Sequence, residues 1–155
     1  MKRFLLVLLL FLVGFSGSVV AEGYNMDLVG FLSFGQDTSD ITGFAQDGRE
    51  FAVVGLQDAA AFVDITDPSN PFELGRISGG NSMWRDLKYW NRHVYIGTEA
   101  NDGVKVVSVD DPDDPTLVST ISDFGNSHNI HIDVDGYLYV VGAATNDIWI
   151  YDLSF

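Results

Sequence analysis

The chain has 155 residues, enough for one domain, and carries 22 acidic against eight basic side chains. A surface of that sign repels phosphate backbones and anionic lipid, which argues against nucleic-acid binding and favours cationic partners or the plain solubility of an exported protein. With no cysteine, disulfides are excluded, and stability rests on packing or on bound ions.

In chain order, Lys2 and Arg3 precede an apolar run from Phe4 to Phe15, followed by small residues ending in Val19-Val20-Ala21. This is the pattern of a secretory signal peptide, residues 1–21, cleaved after Ala21. Its apolar core of about a dozen residues falls short of the roughly 20 that span a bilayer. The expectation is export, to the cell surface, the medium or the periplasm, with no membrane insertion after cleavage.

Residues 22–155 repeat. DAAAFVDITDPSNPFELGRI begins at Asp58, DGVKVVSVDDPDDPTLVSTI at Asp102 and NDIWIYDLSF at Asn146, a period of 44. LVGFL (28–32), ELGRI (73–77) and LVSTI (117–121) align in the same register, as do the stretches that begin at Asp40, Asp86 and Asn129. The units are 28–72, 73–116 and 117–155. Each holds four short segments rich in Val, Ile, Phe, Tyr and Trp, and all of them read as strands. Asp47-Gly48, Asn91-Arg92 and Asp135-Gly136 are hairpin turns. Asp67-Pro68 and Asp111-Pro112 open connecting turns in which proline fixes φ and aspartate bonds the backbone.

Four antiparallel strands every 40–50 residues predict an all-β, β-propeller-like fold with three blades present, an open stack of sheets being the rival. Three blades fall below the four to eight of a closed ring. The sequence therefore reads as the N-terminal part of a longer protein.

Taken together, DLVGFLSF, DITGF, REFAVVGLQDAAAFVDITDPSNPFELGRI, WRDLKYWNRHVYIG and SHNIHIDVDGYLYVVG resemble the choice-of-anchor B family of exported bacterial proteins, built from LVIVD repeats. The resemblance implies a propeller domain on a secreted or surface-displayed protein. It carries no catalytic residues across.

The loops entering the predicted inner strands are SFGQDTS, SGGNSMWR and SDFGNSH. Such loops are a usual place for binding residues, and the candidate patch comprises Gln36, Asp37, Asp40, Asn81, Trp84, Arg85, Asp86, Asn126, His128 and Asn129. Asp40, Asp86 and Asn129 share one aligned position, which suggests backbone bonding to a neighbouring turn or blade. Ser39, Arg85 and His128 share the preceding one, where the residue type varies. Trp84 and Arg85 form the pair best suited to a sugar, a carboxylate or a protein loop; packing in a blade interface is the competing reading.

Strand alternation puts His128 with Ile130 and His131 with Asp133, so the two histidines do not converge. His131 and Asp133 remain a secondary metal reading, and calcium among the aspartates 110–114 another; turn chemistry accounts for these carboxylates, and no cofactor is expected. There is no G-x-S-x-G elbow and no phosphate loop. The leading expectation is a non-catalytic module that binds a protein or glycan. An extracellular hydrolase or lyase using His128 as base and Arg85 as anion clamp, and a purely structural repeat domain, are the alternatives.

Overall fold

The computed structural model describes residues 26–154; the expected signal peptide, residues 1–21, lies outside them. The described chain is all-β. The first sheet holds β1 (Thr38–Gln46), β2 (Arg49–Leu56), β3 (Ala59–Asp64) and β4 (Phe72–Ser78). The second holds β5 (Arg85–Trp90), β6 (His93–Thr98), β7 (Val104–Ser108) and β8 (Thr116–Ile121). The third holds β9 (Asn129–Ile132), β10 (Tyr137–Val141) and β11 (Trp149–Asp152). Each is an antiparallel meander in sequence order.

Eleven of the twelve predicted segments are strands. LVGFL (28–32) is not: it has no ladder partner, because the strands beside which ELGRI and LVSTI lie have no counterpart for it among the described residues. The sheets therefore run one strand out of phase with the sequence units. ELGRI and LVSTI close the first and second sheets as β4 and β8 instead of opening the next unit.

The turns follow the residue chemistry. Asp47 and Gly48 have φ of 53° and 79°, and Asn91 and Arg92 45° and 61°, the doubly positive pattern that twists in step with its strands. Asp67 accepts hydrogen bonds from Ser69 N (3.0 Å) and Ser69 Oγ (2.6 Å), and Asp111 accepts one from Asp113 N (3.0 Å) at the matching place. Both outer hairpins shift register at the same point, Phe62/Val63 and Val106/Val107.

The sheets pack face on face. Val53, Ala60 and Phe62 of the first meet Leu87, Val94, Ile96 and Val107 of the second, and Phe44 stacks on Phe51 and Tyr89 at 5.0 and 4.7 Å. Tyr95 and Val104 of the second meet Ile130, Leu138 and Val140 of the third. Along the first edge of each sheet, β1 lies beside β5 and β5 beside β9. Glycine makes that approach feasible: a β-carbon on Gly55 would stand 3.1 Å from Arg85 Cβ, and one on Gly97 3.1 Å from Ile130 Cγ2.

Candidate cleft at the starts of strands 1, 5 and 9

Carboxylates bind neighbouring sheets to one another. Asp40 on β1 accepts a hydrogen bond from Leu87 N on β5 (2.8 Å), and Asp86 on β5 accepts one from Ile130 N on β9 (2.6 Å) and one from Asn129 Nδ2 (3.2 Å). The aligned aspartates thus do one job twice. Lys88 sits between them, in contact with Asp86 and 3.6 Å from Asp40. Partial burial pushes the Asp40 carboxyl up, but the hydrogen bonds from Leu87 and the neighbouring groups, with the Lys88 charge, outweigh it and leave the group below its ordinary value.

Arg85 opens β5 and is 1% exposed. Its Nε donates to Leu56 O (2.7 Å), and its Nη2 to Gln57 O (3.1 Å) and Gly80 O (2.5 Å). A planar fork of donors suits three converging carbonyls. Desolvation draws its pKa down against the raising influence of Asp102 and Asp58, from so high a start that the charge persists at neutral pH. The guanidinium is committed to the seam between two sheets, the packing side of the two readings of Trp84 and Arg85.

Trp84 is placed by a tied loop. Gly79 N donates to Asp58 O (2.8 Å), Gly80 N to Asp102 Oδ2 (2.9 Å) and Ser82 N to Gln57 O (2.9 Å), while Ser82 Oγ donates to Trp84 O (2.8 Å). The indole is half-exposed. It stacks on the His128 imidazole, ring centroids 4.8 Å apart and planes 6° from parallel, and its Nε1 donates to His128 O (2.8 Å). On the imidazole, Nδ1 lies 2.6 Å from Glu99 Oε1. The second loop is held in turn by Ser127 N to Thr98 O (2.8 Å) and by Asn126, whose Oδ1 accepts from Ala144 N (3.0 Å).

Between these elements lies a cleft of about 330 Å³, and Asp40, Trp84, Arg85, Asp86 and Asn129 all line it, with Thr38, Ser39 and Met83. Five of the six principal candidates therefore converge on one cavity, and the sixth, His128, backs the tryptophan. Searched against known proteins, the chain matches no family model, no curated protein and no solved structure. What the site does has to be argued from its own chemistry.

That chemistry is an aromatic ledge above a floor of mixed charge. Lys88 is not in the lining but pairs with two of the carboxylates that are, Asp86 and Asp40; a lysine between Leu87 and Tyr89 on an inner strand was the signal available for it in the sequence. Glu99 carried no signal, because nothing in the repeat pairs it with a histidine 29 residues on. Gln36, Asp37 and Asn81 are not in the lining, and Asn126 serves its loop. Asp133 lies at the far end of the β9–β10 hairpin, where it accepts from Asp135 N (3.0 Å), Tyr137 N (2.9 Å) and Tyr139 Oη (2.8 Å). These donors, Tyr137 N foremost, hold its carboxyl below the ordinary value. His131 faces Tyr139 at 6.3 Å between ring centroids. In the 110–114 cluster, Arg49 donates to both oxygens of Asp113 at 2.8 Å. Among the described residues no group of three or more His, Asp or Glu is placed to hold a metal ion.

Proposed function

We propose that the three sheets are consecutive blades of a β-propeller-like module on an exported protein, similar to the choice-of-anchor B family, and that the module binds a glycan or a protein through the cleft at the starts of β1, β5 and β9. The 44-residue period, the sheet-on-sheet packing and the side-by-side first strands support the architecture. The leader-like residues 1–21 and the LVIVD-type motifs support export and surface display. No catalytic step is part of this reading.

The observation that carries it is the Trp84–His128 stack. A flat aromatic face, half-open to solvent and held by a tied loop, stands beside carboxylates, an amide and an ammonium. Apolar ring contact combined with a few fixed polar groups is how sugars and protein side chains are gripped. A glycan array and an extracellular-matrix protein panel, probed with the purified chain, would identify the ligand. Trp84→Ala is expected to weaken capture per folded molecule by about ten- to a hundredfold, the range for a central aromatic anchor, with a modest fall in melting temperature from the lost stack and hydrogen bond but the fold retained. Full affinity in Trp84→Ala would refute the reading.

One observation favours an extracellular hydrolase or lyase: the 2.6 Å contact of His128 Nδ1 with Glu99 is how a carboxylate orients a general base. Arg85, engaged by carbonyls, does not serve as the anion clamp, so that role would pass to Lys88. Turnover lost in both His128→Ala and Glu99→Gln would establish this alternative.

A further inference from the structure

The charges at the cleft are already matched to one another. Its two carboxylates, Asp40 and Asp86, are balanced by the two cations next to them, Lys88 and Arg85. Arg85 is engaged by the carbonyls of Leu56, Gln57 and Gly80. Asp86 is enclosed by Lys88, the Ile130 amide and Asn129 Nδ2. Lys88 and Asp40 are exposed to a similar extent, 33% and 36%, and stand 3.6 Å apart, so they neutralise one another toward solvent. A cationic ligand finds its place between the carboxylates held by Lys88. An anionic one meets two carboxylates and the field of a chain with 22 acidic against eight basic side chains.

What the lining has left to offer is uncharged. The indole Nε1 of Trp84 already donates to His128 O (2.8 Å), and the imidazole covers one face of the ring at 4.8 Å. The cleft therefore receives the opposite face, apolar and with no donor. Around it stand the hydroxyls of Thr38 and Ser39, the Met83 thioether and the Asn129 amide. With Nδ2 donating to Asp86 (3.2 Å), that amide has Oδ1 left as an acceptor. A pyranose ring answers both parts: it has a flat side of C–H groups for the aromatic face, and hydroxyls at its rim that donate and accept. Size agrees. The cleft's volume of about 330 Å³ lies at the small end of ligand pockets and suits a single sugar unit. A protein partner would need about 800 Å² on each side, most of it outside the cleft.

We propose that the ligand is an uncharged pyranose unit of a glycan, stacked on Trp84 with its hydroxyls bonded to Thr38, Ser39 and Asn129; this rests on the reading of the cleft as the binding site. Charge on the sugar is then what the site rejects. An amino group in place of a hydroxyl meets the Lys88 ammonium, and a carboxylate meets Asp40. Like charges brought together at a contact closed to water exclude the wrong ligand. Lys88 and Asp40 thus set specificity, and Trp84 supplies the grip.

The test compares oligosaccharides matched in backbone and opposed in charge: N-acetylated chito-oligosaccharides against their deacetylated, cationic forms, and galacto-oligosaccharides against oligogalacturonate. Titrated calorimetrically into the full chain, a neutral member should bind at least about tenfold more tightly than its charged counterpart. Its affinity should change less than about twofold between about 20 and 500 mM NaCl, since no ion pair is formed for salt to screen. Saturation-transfer NMR should place the ring C–H protons of one sugar face against the protein. Thr38→Val and Ser39→Ala, conservative changes on the lining, should each weaken binding about two- to tenfold with the melting temperature unchanged. Trp84-dependent capture of a charged oligosaccharide or of a protein, or affinity that collapses with salt, would overturn the inference and leave the cleft standing as the binding site. Neutral-sugar binding at full strength in both Trp84→Ala and Thr38→Val would overturn the cleft reading and the inference with it. No neutral probe bound at about 1 mM would overturn the inference alone.

Discussion

Replacing Asp86 by alanine tests whether the aligned carboxylates hold the sheets together. Asp86 is buried, and its Oδ2 takes the Ile130 amide at 2.6 Å at the seam between the second and third sheets. A hydrogen bond to a charged acceptor contributes about 1.5–3 kcal/mol, and a buried donor left unpaired costs about 1–3 kcal/mol. The two overlap, because losing the acceptor is what strands the donor, so Asp86→Ala is expected to cost about 3 kcal/mol. For a domain of this size that is a fall of about 10 °C in melting temperature. Asp86→Asn keeps an acceptor and should lose about 1 kcal/mol. Asp40→Ala should lie between them, since Asp40 is only partly buried. Thermal unfolding followed by circular dichroism measures the shifts, and amide hydrogen exchange locates them. A melting temperature within 2 °C of the parent, with the Ile130 amide still protected, would refute the clamp.

Arg85→Met should destabilise by about 2–4 kcal/mol, because it removes donors from three carbonyls at a buried seam, and any loss of ligand capture should vanish once corrected for the folded fraction; normal stability with lost capture would return Arg85 to the binding site. Acid should weaken the fold through Asp40, Asp64 and Asp102, each held below its ordinary value despite burial that pushes it up. A depressed carboxyl contributes fully above its unfolded pKa of about 4, and the contribution is lost as pH falls through that value toward the folded one. Melting temperature should therefore be flat from pH 8 to about 5 and fall below about 4. Acid also relieves repulsion among the many carboxylates, so the deciding comparison is Asp102→Asn, which should fall less steeply than the parent; equal slopes would sink the attribution.

The fold was legible where the residue type itself dictates geometry. Asp-Gly and Asn-Arg at the hairpins, Asp-Pro at the connections and β-branched runs between them are local signals, and eleven strands sit where those signals put them. LVGFL misled because it has the composition of a strand, and composition says nothing about whether a neighbouring strand is present to pair with it. The phase of the sheets was hidden for a related reason. A periodic sequence looks the same whichever of its four segments is counted first, and only the ladder of backbone hydrogen bonds chooses. In the site, the Asp40/Asp86 position was readable because one residue type recurs for one purpose. Glu99 was not, because its partner His128 is met across the seam between two sheets.

The variable position before those aspartates carries the sharper lesson. Ser39, Arg85 and His128 occupy equivalent backbone places, yet the first is exposed on β1, the second is buried, and the third is exposed beneath a tryptophan. What differs is the neighbouring sheet. Arg85 has the free carbonyls of Leu56, Gln57 and Gly80 around it and so becomes a tie; His128 has an indole and a carboxylate and so becomes part of a surface; Ser39 has no preceding sheet among the described residues. Variation at a repeated position therefore does not by itself mark ligand contact. It marks places where the scaffold's demand differs from seam to seam, and exposure then separates function from fastening. By that criterion Arg85 belongs to the fold, and Trp84 and His128 to the surface proposed for binding.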